Sequence, residues 1–321
     1  MNIQSASEKM DFSDLRVFKA VVEEGGITRA AKRLHRVQSN VTTRIQQLEA
    51  SLGAKLFLRE KQRLHLSPAG KLFMGYVEQI LNISEQARDA ITEDAPKGLL
   101  RIGTLESTAA SRLPLLLSRY HAKFPAVSIE LVTGTADAMR DALLNREVDV
   151  AFIADCVPAG RVETMPAFEE ELVLIAPRSR KEIRQPRDLR DETIITFPKG
   201  CAYRRRLQDW LATGGVIPEK TFELSSYHAI VACVAAGTGI ALAPRSVLEV
   251  VRGGESVQIC VLPERTRRAI TSLVWRKGET SWSLKALQSE VEYHKLSTRL
   301  SKRNGSAAKV VRAPARVRAF S

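Results

Sequence analysis

The run Ala30-Ala31-Lys32-Arg33-Leu34-His35-Arg36-Val37-Gln38-Ser39-Asn40-Val41-Thr42-Thr43-Arg44-Ile45-Gln46-Gln47-Leu48-Glu49 decides the reading of this chain. Val41, Ile45, Leu48 and Leu52 recur at spacings of three and four, the inward stripe of a helix that begins near Gln38. Its other face carries Gln38, Ser39, Thr42, Thr43, Arg44 and Gln46. Upstream, Ala30, Ala31 and Leu34 face inward on a short helix capped by Thr28, and the small alanines let the next helix approach closely. Phe12, Leu15, Phe18 and Val22 mark the buried face of an earlier helix, which Gly25-Gly26 ends. Two short helices around a tight turn, the second with an uncharged hydrogen-bonding face, describe a helix-turn-helix. Gln, Ser and Thr donate and accept at base edges, and Arg44 suits phosphates.

Beyond Gly53, the run Lys55 to Pro68 places Arg59, Lys61 and Arg63 between two apolar stretches, with Leu64 and Leu66 alternating around His65. This predicts a β-hairpin wing with a cationic tip that enters an adjacent groove. With the wing in place, residues 12–70 resemble the winged helix-turn-helix of LysR-type transcriptional regulators. The resemblance is carried by Ala30 to Glu49, Leu52-Gly53, Leu56-Phe57-Leu58-Arg59 and Leu66-Ser67-Pro68-Ala69-Gly70. It implies that Gln38, Ser39 and Thr42 touch bases, while Arg59 and the wing touch backbone or minor groove. The full expected DNA-facing set is Thr28, Gln38, Ser39, Asn40, Thr42, Thr43, Arg44, Arg59, Lys61 and Arg63. The expected DNA-binding domain is 11–68.

The chain has 321 residues, 44% hydrophobic and 26% charged, enough for about two ordinary domains. No run approaches the roughly 18 apolar residues of a membrane span, and no apolar leader precedes the helices, so a cytoplasmic protein is expected. Four cysteines lie 45, 32 and 27 residues apart, neither a zinc nor a disulfide pattern. Of the net charge of +13, residues 1–70 hold 12 Lys/Arg against 7 Asp/Glu, and residues 297–321 hold seven basic residues and no acid. The middle is almost neutral, which suits ends that meet a polyanion. Residues 69–94 read as a linker helix of about 39 Å with Leu72, Tyr76, Ile80, Ile83, Ala87 and Ile91 on one stripe, too long to cover on its own domain. It is expected to pair with a copy of itself, as the corresponding helix does in the family. Residues 297–321 are expected to form a disordered basic tail.

Asp94-Ala95-Pro96-Lys97-Gly98 marks a boundary. From 98 to 296, short apolar runs alternate with helical patterns, implying parallel sheets in two α/β lobes, lobe I about 98–170 and 272–296, lobe II about 171–271. The expected class is mixed α and α/β, and the family implies a periplasmic-binding-protein-like effector domain. Strand-end loops facing the cleft supply Ser107, Thr108, Thr133, Thr135, Phe197, Cys201, Tyr203, Arg204 and Tyr227. Hydroxyl groups, aromatic walls and a cation suit a small carboxylate. By resemblance, Ser107 and Thr135 match effector-contacting positions, and the Cys201 to Arg204 loop matches more loosely. Arg204 to Arg206 would favour a Cys201 thiolate, but a small, semi-buried packing residue is the expected reading. The five histidines form neither a metal pair nor a triad, so no enzyme, metal or cofactor is expected. The expected function is a transcriptional regulator bound to double-stranded promoter DNA as a homodimer or homotetramer, answering a small-molecule effector and working with RNA polymerase. The alternative is an architectural, nucleoid-type binder whose α/β domain only oligomerises.

Overall fold

A computed structural model describes residues 10–60, 63–92, 95–156, 160–181, 183–252 and 254–310. The chain forms two compact units, Met1–Glu93 and Asp94–Ser321.

The first unit contains α1 (Phe12–Glu23), α2 (Ile27–Arg33), α3 (Gln38–Leu52), the hairpin strands β1 (Phe57–Glu60) and β2 (Arg63–Leu66), and α4 (Pro68–Thr92). Asp11 caps α1 through a reciprocal capping box with Asp14. The cap of α2 is Gly26, so Thr28 lies inside the helix instead of starting it. The preceding Gly25 takes the left-handed turn at φ +64°. Leu15, Phe18, Ala30, Ala31, Val41, Ile45 and Leu48 are buried together, as their spacing predicts. Phe12 and Leu52, at the outer ends of their helices, are exposed instead. α4 has two apolar faces. Val77 and Leu81 complete the core of this unit, whereas Leu72, Tyr76 and Ile83 are exposed.

The junction of wing and α4 is held tightly. The Ser67 hydroxyl donates to the Lys55 carbonyl and accepts the Gly70 N–H at 2.9 Å. A Cβ at Gly70 would stand 2.1 Å from the Leu56 carbonyl oxygen, so only glycine fits.

The second unit contains β3 (Gly98–Thr104), α5 (Glu106–Ser111), α6 (Leu113–Lys123), β4 (Val127–Thr133), α7 (Ala136–Leu144), β5 (Val150–Ala154) and the long β6 (Val162–Pro177). It continues with β7 (Thr193–Thr196), α8 (Ala202–Thr213), β8 (Lys220–Glu223), α9 (Tyr227–Ala235) and β9 (Ile240–Pro244). α10 (Arg245–Val250), β10 (Val257–Val261), α11 (Glu264–Arg267), β11 (Arg268–Arg276) and α12 (Trp282–Val310) complete it. The strand order is β4-β3-β5-β11-β6-β9-β7-β8, with β10 also on β6.

β6 belongs to both lobes. Its first part pairs with β11 from Val162 to Glu171, and its second with β9 and β10. The β3–β4, β3–β5, β7–β8 and β7–β9 pairs are parallel, as strand–helix alternation predicts. The pairs made by β6 and β11 are antiparallel. An all-parallel sheet is therefore corrected at the hinge, because the strand entering lobe II and the strand returning must run in opposite directions. The return begins at Arg268, a few residues before the expected 272.

Two helical expectations also change. Residues 107–124 form two helices that break at Arg112, because the Pro114 ring cannot follow a continuous helix. α12 runs on to Val310, so 297–310 are helical where a disordered tail was expected. Alanine, lysine and arginine in this segment are strong helix formers. Residues 311–321 lie outside the described residues.

Gly70→Ala should destabilise the first unit by about 1–3 kcal/mol through overpacking. Gly75→Ala, whose Cβ meets nothing within 4 Å in the same helix, should stabilise it by about 0.5–1 kcal/mol. Urea melts of the two variants check both signs.

Candidate DNA interface and ligand cleft

The N-terminal end of α3 is open to solvent. Gln38, Ser39, Asn40 and Thr43 are all exposed on it. The Thr28 hydroxyl on α2 lies 3.3 Å from Gln38 Oε1, so the neighbouring helix orients the Gln38 amide. The half-buried Thr42 donates back to the Gln38 carbonyl at 3.0 Å, and its methyl-bearing face remains. Arg36 reaches Ser13 Oγ at 3.2 Å and Asn40 Oδ1 at 3.5 Å. Val37, 69% exposed, stands at the head of the same row. The sequence pattern singles out polar base readers and passes over it, although a bare β-branched methyl pair suits thymine methyl groups.

Arg44, expected among the DNA-facing residues, is ion-paired within the unit. It stands about 120° around α3 from Gln38 and binds Asp14 on α1 at 2.6 Å, with Asp11 at 3.7 Å. That ion pair competes with any phosphate contact Arg44 would make. In the wing, β1 and β2 pair Arg59 with Leu64 and Glu60 with Arg63. Arg59 and Arg63 thus stand near the tip, and Lys61 lies outside the described residues. The wing is seated by the buried Glu49. Its carboxylate binds Lys55 at 2.7 Å and accepts the N–H groups of Leu56 at 2.8 Å and Phe57 at 3.2 Å. Burial raises the Glu49 pKa, but those three donors outweigh it and hold the group below the usual carboxylate value.

In the second unit, the strand-end loops of the two lobes face each other. Ser107 and Thr108 are buried at the start of α5, directly after β3. Thr135 caps α7 by accepting the Ala138 N–H, and Thr133 is exposed at the end of β4. From lobe II, the loop after β7 brings Gly200, Cys201 and Tyr203. The Gly200 carbonyl accepts the Asp137 N–H from lobe I at 3.2 Å. Gly200 is at φ +91°, and a Cβ there would sit 2.9 Å from Thr135 Oγ1. Tyr203 is buried, and its hydroxyl faces those of Ser107 and Thr271 without a well-formed hydrogen bond. Phe197 and Tyr227 stack with centroids 4.8 Å apart.

Ion pairs close the two lobes together. Arg206 on α8 binds Asp155 of lobe I at 2.7 Å, and Arg205 lies 3.6 Å from Asp137. The third arginine takes a different direction. Arg204 turns back within lobe II to the Phe197 carbonyl at 3.1 Å and to Glu223. Three consecutive helical residues point about 100° apart, so one run supplies only two cross-lobe cations. Cys201 sits half-buried, in keeping with a small packing residue. Burial pushes its thiol up, against the pull of the Arg204 and Tyr203 N–H groups and of Arg204 and Arg205, so a ready thiolate is not formed.

Two acids that the sequence pattern passed over complete the cleft. Glu170, buried on β6, takes a two-pronged bond from Arg112 at 2.7 and 2.8 Å and a hydrogen bond from Ser246 at 2.9 Å. Glu106 accepts only the Tyr227 N–H, at 3.4 Å. Neither is visible in sequence, since glutamates are exposed by default. Among the described residues no cluster of three metal-ligating side chains occurs, and no helix is long and apolar enough to cross a membrane.

With this geometry in view, comparison with known proteins is specific. Residues 12–71 match the bacterial regulatory helix-turn-helix protein model of the lysR family, and residues 93–291 match the LysR substrate binding domain model. The regulator YusT of Bacillus subtilis is 40% identical over 269 residues, 84% of this chain and 90% of its own. GltR of the same organism is 40% identical over 240 residues, 74% of this chain and 81% of its own. The structure of full-length CbnR in complex with its target DNA aligns at a TM-score of 0.63 and 26% identity, covering 88% of this chain and 99% of that one.

Glu49→Gln should destabilise the first unit by about 1–3 kcal/mol at neutral pH. Because the folded pKa is depressed, that gap is complete above the ordinary glutamate value of about 4.3 and closes as pH falls through the folded value. Urea midpoints of both proteins across an acid series check it.

Proposed function

Given that the chain belongs to the LysR family of DNA-binding transcriptional regulators, we propose that it reads promoter DNA with the N-terminal row of α3 and senses a small molecule between its two α/β lobes. It is a regulator and not an enzyme. Gln38, Ser39, Asn40 and Thr43 would face base edges, with Thr28 holding the Gln38 amide and Thr42 shaping the helix surface. Arg59, Lys61 and Arg63 of the wing would lie along the backbone or minor groove. Arg44 would reach a phosphate only by giving up its bond to Asp14.

The exposed Leu72, Tyr76 and Ile83 of α4 are the surface on which a second copy would pair, making a homodimer or, by further contacts, a homotetramer. Pairing of that kind would present two recognition helices to a dyad-symmetric site. Its setting would be the cytoplasm, with RNA polymerase as the downstream partner. In the cleft, Ser107, Thr108, Thr135, Phe197, Cys201, Tyr203 and Tyr227 would surround the ligand, and the Asp137–Arg205 and Asp155–Arg206 pairs would report closure.

The carrying observation is the solvent-facing row of uncharged amide and hydroxyl groups on α3, supported by Thr28 from the neighbouring helix. An architectural binder gains its grip from phosphates and DNA deformation and has no use for such a row. Gln38→Ala should cost about 1–3 kcal/mol at one base pair of the preferred site while leaving affinity for random duplex unchanged. Equal losses on both, measured by fluorescence anisotropy at fixed salt, would contradict base reading by Gln38.

A further inference from the structure

Among the described residues, one buried carboxylate oxygen between the lobes has no hydrogen-bond partner. Glu170 is answered in full by Arg112 and Ser246. Glu106, across the Tyr203–Tyr227 pair, is not. Its Oε1 accepts one long backbone bond, and its Oε2 is buried without a partner. His228, whose electrostatic pull on Glu106 opposes the burial, is exposed. Burial raises the Glu106 pKa, with the Tyr227 N–H opposing.

Other buried polar groups of the second unit are also poorly satisfied. The Thr108 hydroxyl is without a hydrogen-bond partner, the Tyr203 hydroxyl meets those of Thr271 and Ser107 only loosely, and Thr108, Tyr203 and Thr271 are each at least nine-tenths buried. Tyr203 faces Ser107 and Thr271, and Tyr227 lies against Glu106, Tyr203 and Cys201. Leaving that many buried groups unmade is costly, so such a cluster is completed by a ligand that brings donors.

The cations of the cleft, by contrast, are already engaged. Arg112 is held by Glu170, Arg204 by Glu223, Arg205 by Asp137 and Arg206 by Asp155. Lys199, on the same loop, is exposed. α5, which would have to receive an anion at its first turn, has only six residues. Among the described residues, a ligand that is only a carboxylate therefore finds hydroxyl donors but no unengaged arginine in the cleft.

We propose that the ligand of this cleft carries a protonated amine that docks on Glu106, with the Tyr203, Thr108 and Thr271 hydroxyls receiving its polar atoms and Phe197 and Tyr227 packing its carbon chain. This rests on the sensor reading above and replaces the small carboxylate with an amine-bearing class such as amino acids or diamines.

The test uses the full chain in thermal melts with matched probes. L-Glutamate, L-lysine and putrescine are each set beside an amine-free counterpart: glutarate, hexanoate and butane-1,4-diol. One or more amines should raise the melting temperature by about 5 °C at a hundredfold excess over its dissociation constant. The amine-free counterpart should bind at least about tenfold more weakly. Glu106→Gln should abolish the preference while making the ligand-free chain more stable, since a buried uncompensated charge is removed. Stabilisation by the amine-free compounds in both proteins would overturn the amine class and leave the sensor reading standing. Silence from every amine, or a ligand-free variant no more stable than the parent, would also overturn it. An amine that stabilises through Glu106 yet leaves DNA binding unaltered would instead sink the sensor reading.

Discussion

One strand holds the ligand-binding unit together. β6 is a member of the lobe I sheet through β11 and of the lobe II sheet through β9 and β10, so each lobe's sheet is built on the same backbone. A continuous ladder cannot slip without losing its hydrogen bonds and swapping side-chain faces. Bending near its midpoint is therefore the low-cost motion left to the lobes. Glu169, Glu170 and Glu171 lie at that midpoint, where partners change from β11 to β9. The Glu170–Arg112 pair thus joins the hinge to the α5–α6 break, so a change at the cleft is felt by the strand that links the lobes.

What the hinge permits, polar contacts across the cleft arrest. Asp137 and Asp155 each follow a lobe I strand, and Arg205 and Arg206 begin a lobe II helix. The Gly200 carbonyl adds a backbone bond between lobes. Exposed pairs of this sort are worth only about 0–1 kcal/mol each, which suits a closure that a small ligand can bias. The buried cluster beneath them has the opposite character. Its groups are too costly to leave unsatisfied and too well enclosed for water to answer freely.

Much of this was legible in the sequence, for identifiable reasons. The helix-turn-helix rests on apolar spacing and glycine stops, both local signals, and α3 starts at Gln38 as that spacing predicts. The β7–α8 and β8–α9 loops follow from strand–helix alternation. What escaped depends on partners far along the chain. Arg44 is claimed by Asp14, thirty residues away, and Arg204 by Glu223, nineteen residues away. The first half of β6 reads as irregular because Pro166 and three consecutive glutamates hide it, although Ala167 and Phe168 are buried. Glu106 looks like a helix-start acid, and only burial reveals it as a charge in need of a partner. The reading of 297–310 failed differently. Charge and small residues suggested a free tail, while the same lysines, arginines and alanines continue α12.

The account stands or falls on whether α3 reads sequence as one of a pair. The most direct measurement is selection of the full chain against a pool of random duplexes at fixed salt, followed by sequencing of the retained DNA. The account predicts enrichment of a dyad-symmetric motif whose half-sites lie about one or more helical turns apart, at multiples of roughly 10–10.5 base pairs. Retention that grows with DNA length but enriches no motif would contradict it and would return the chain to the class of sequence-indifferent binders.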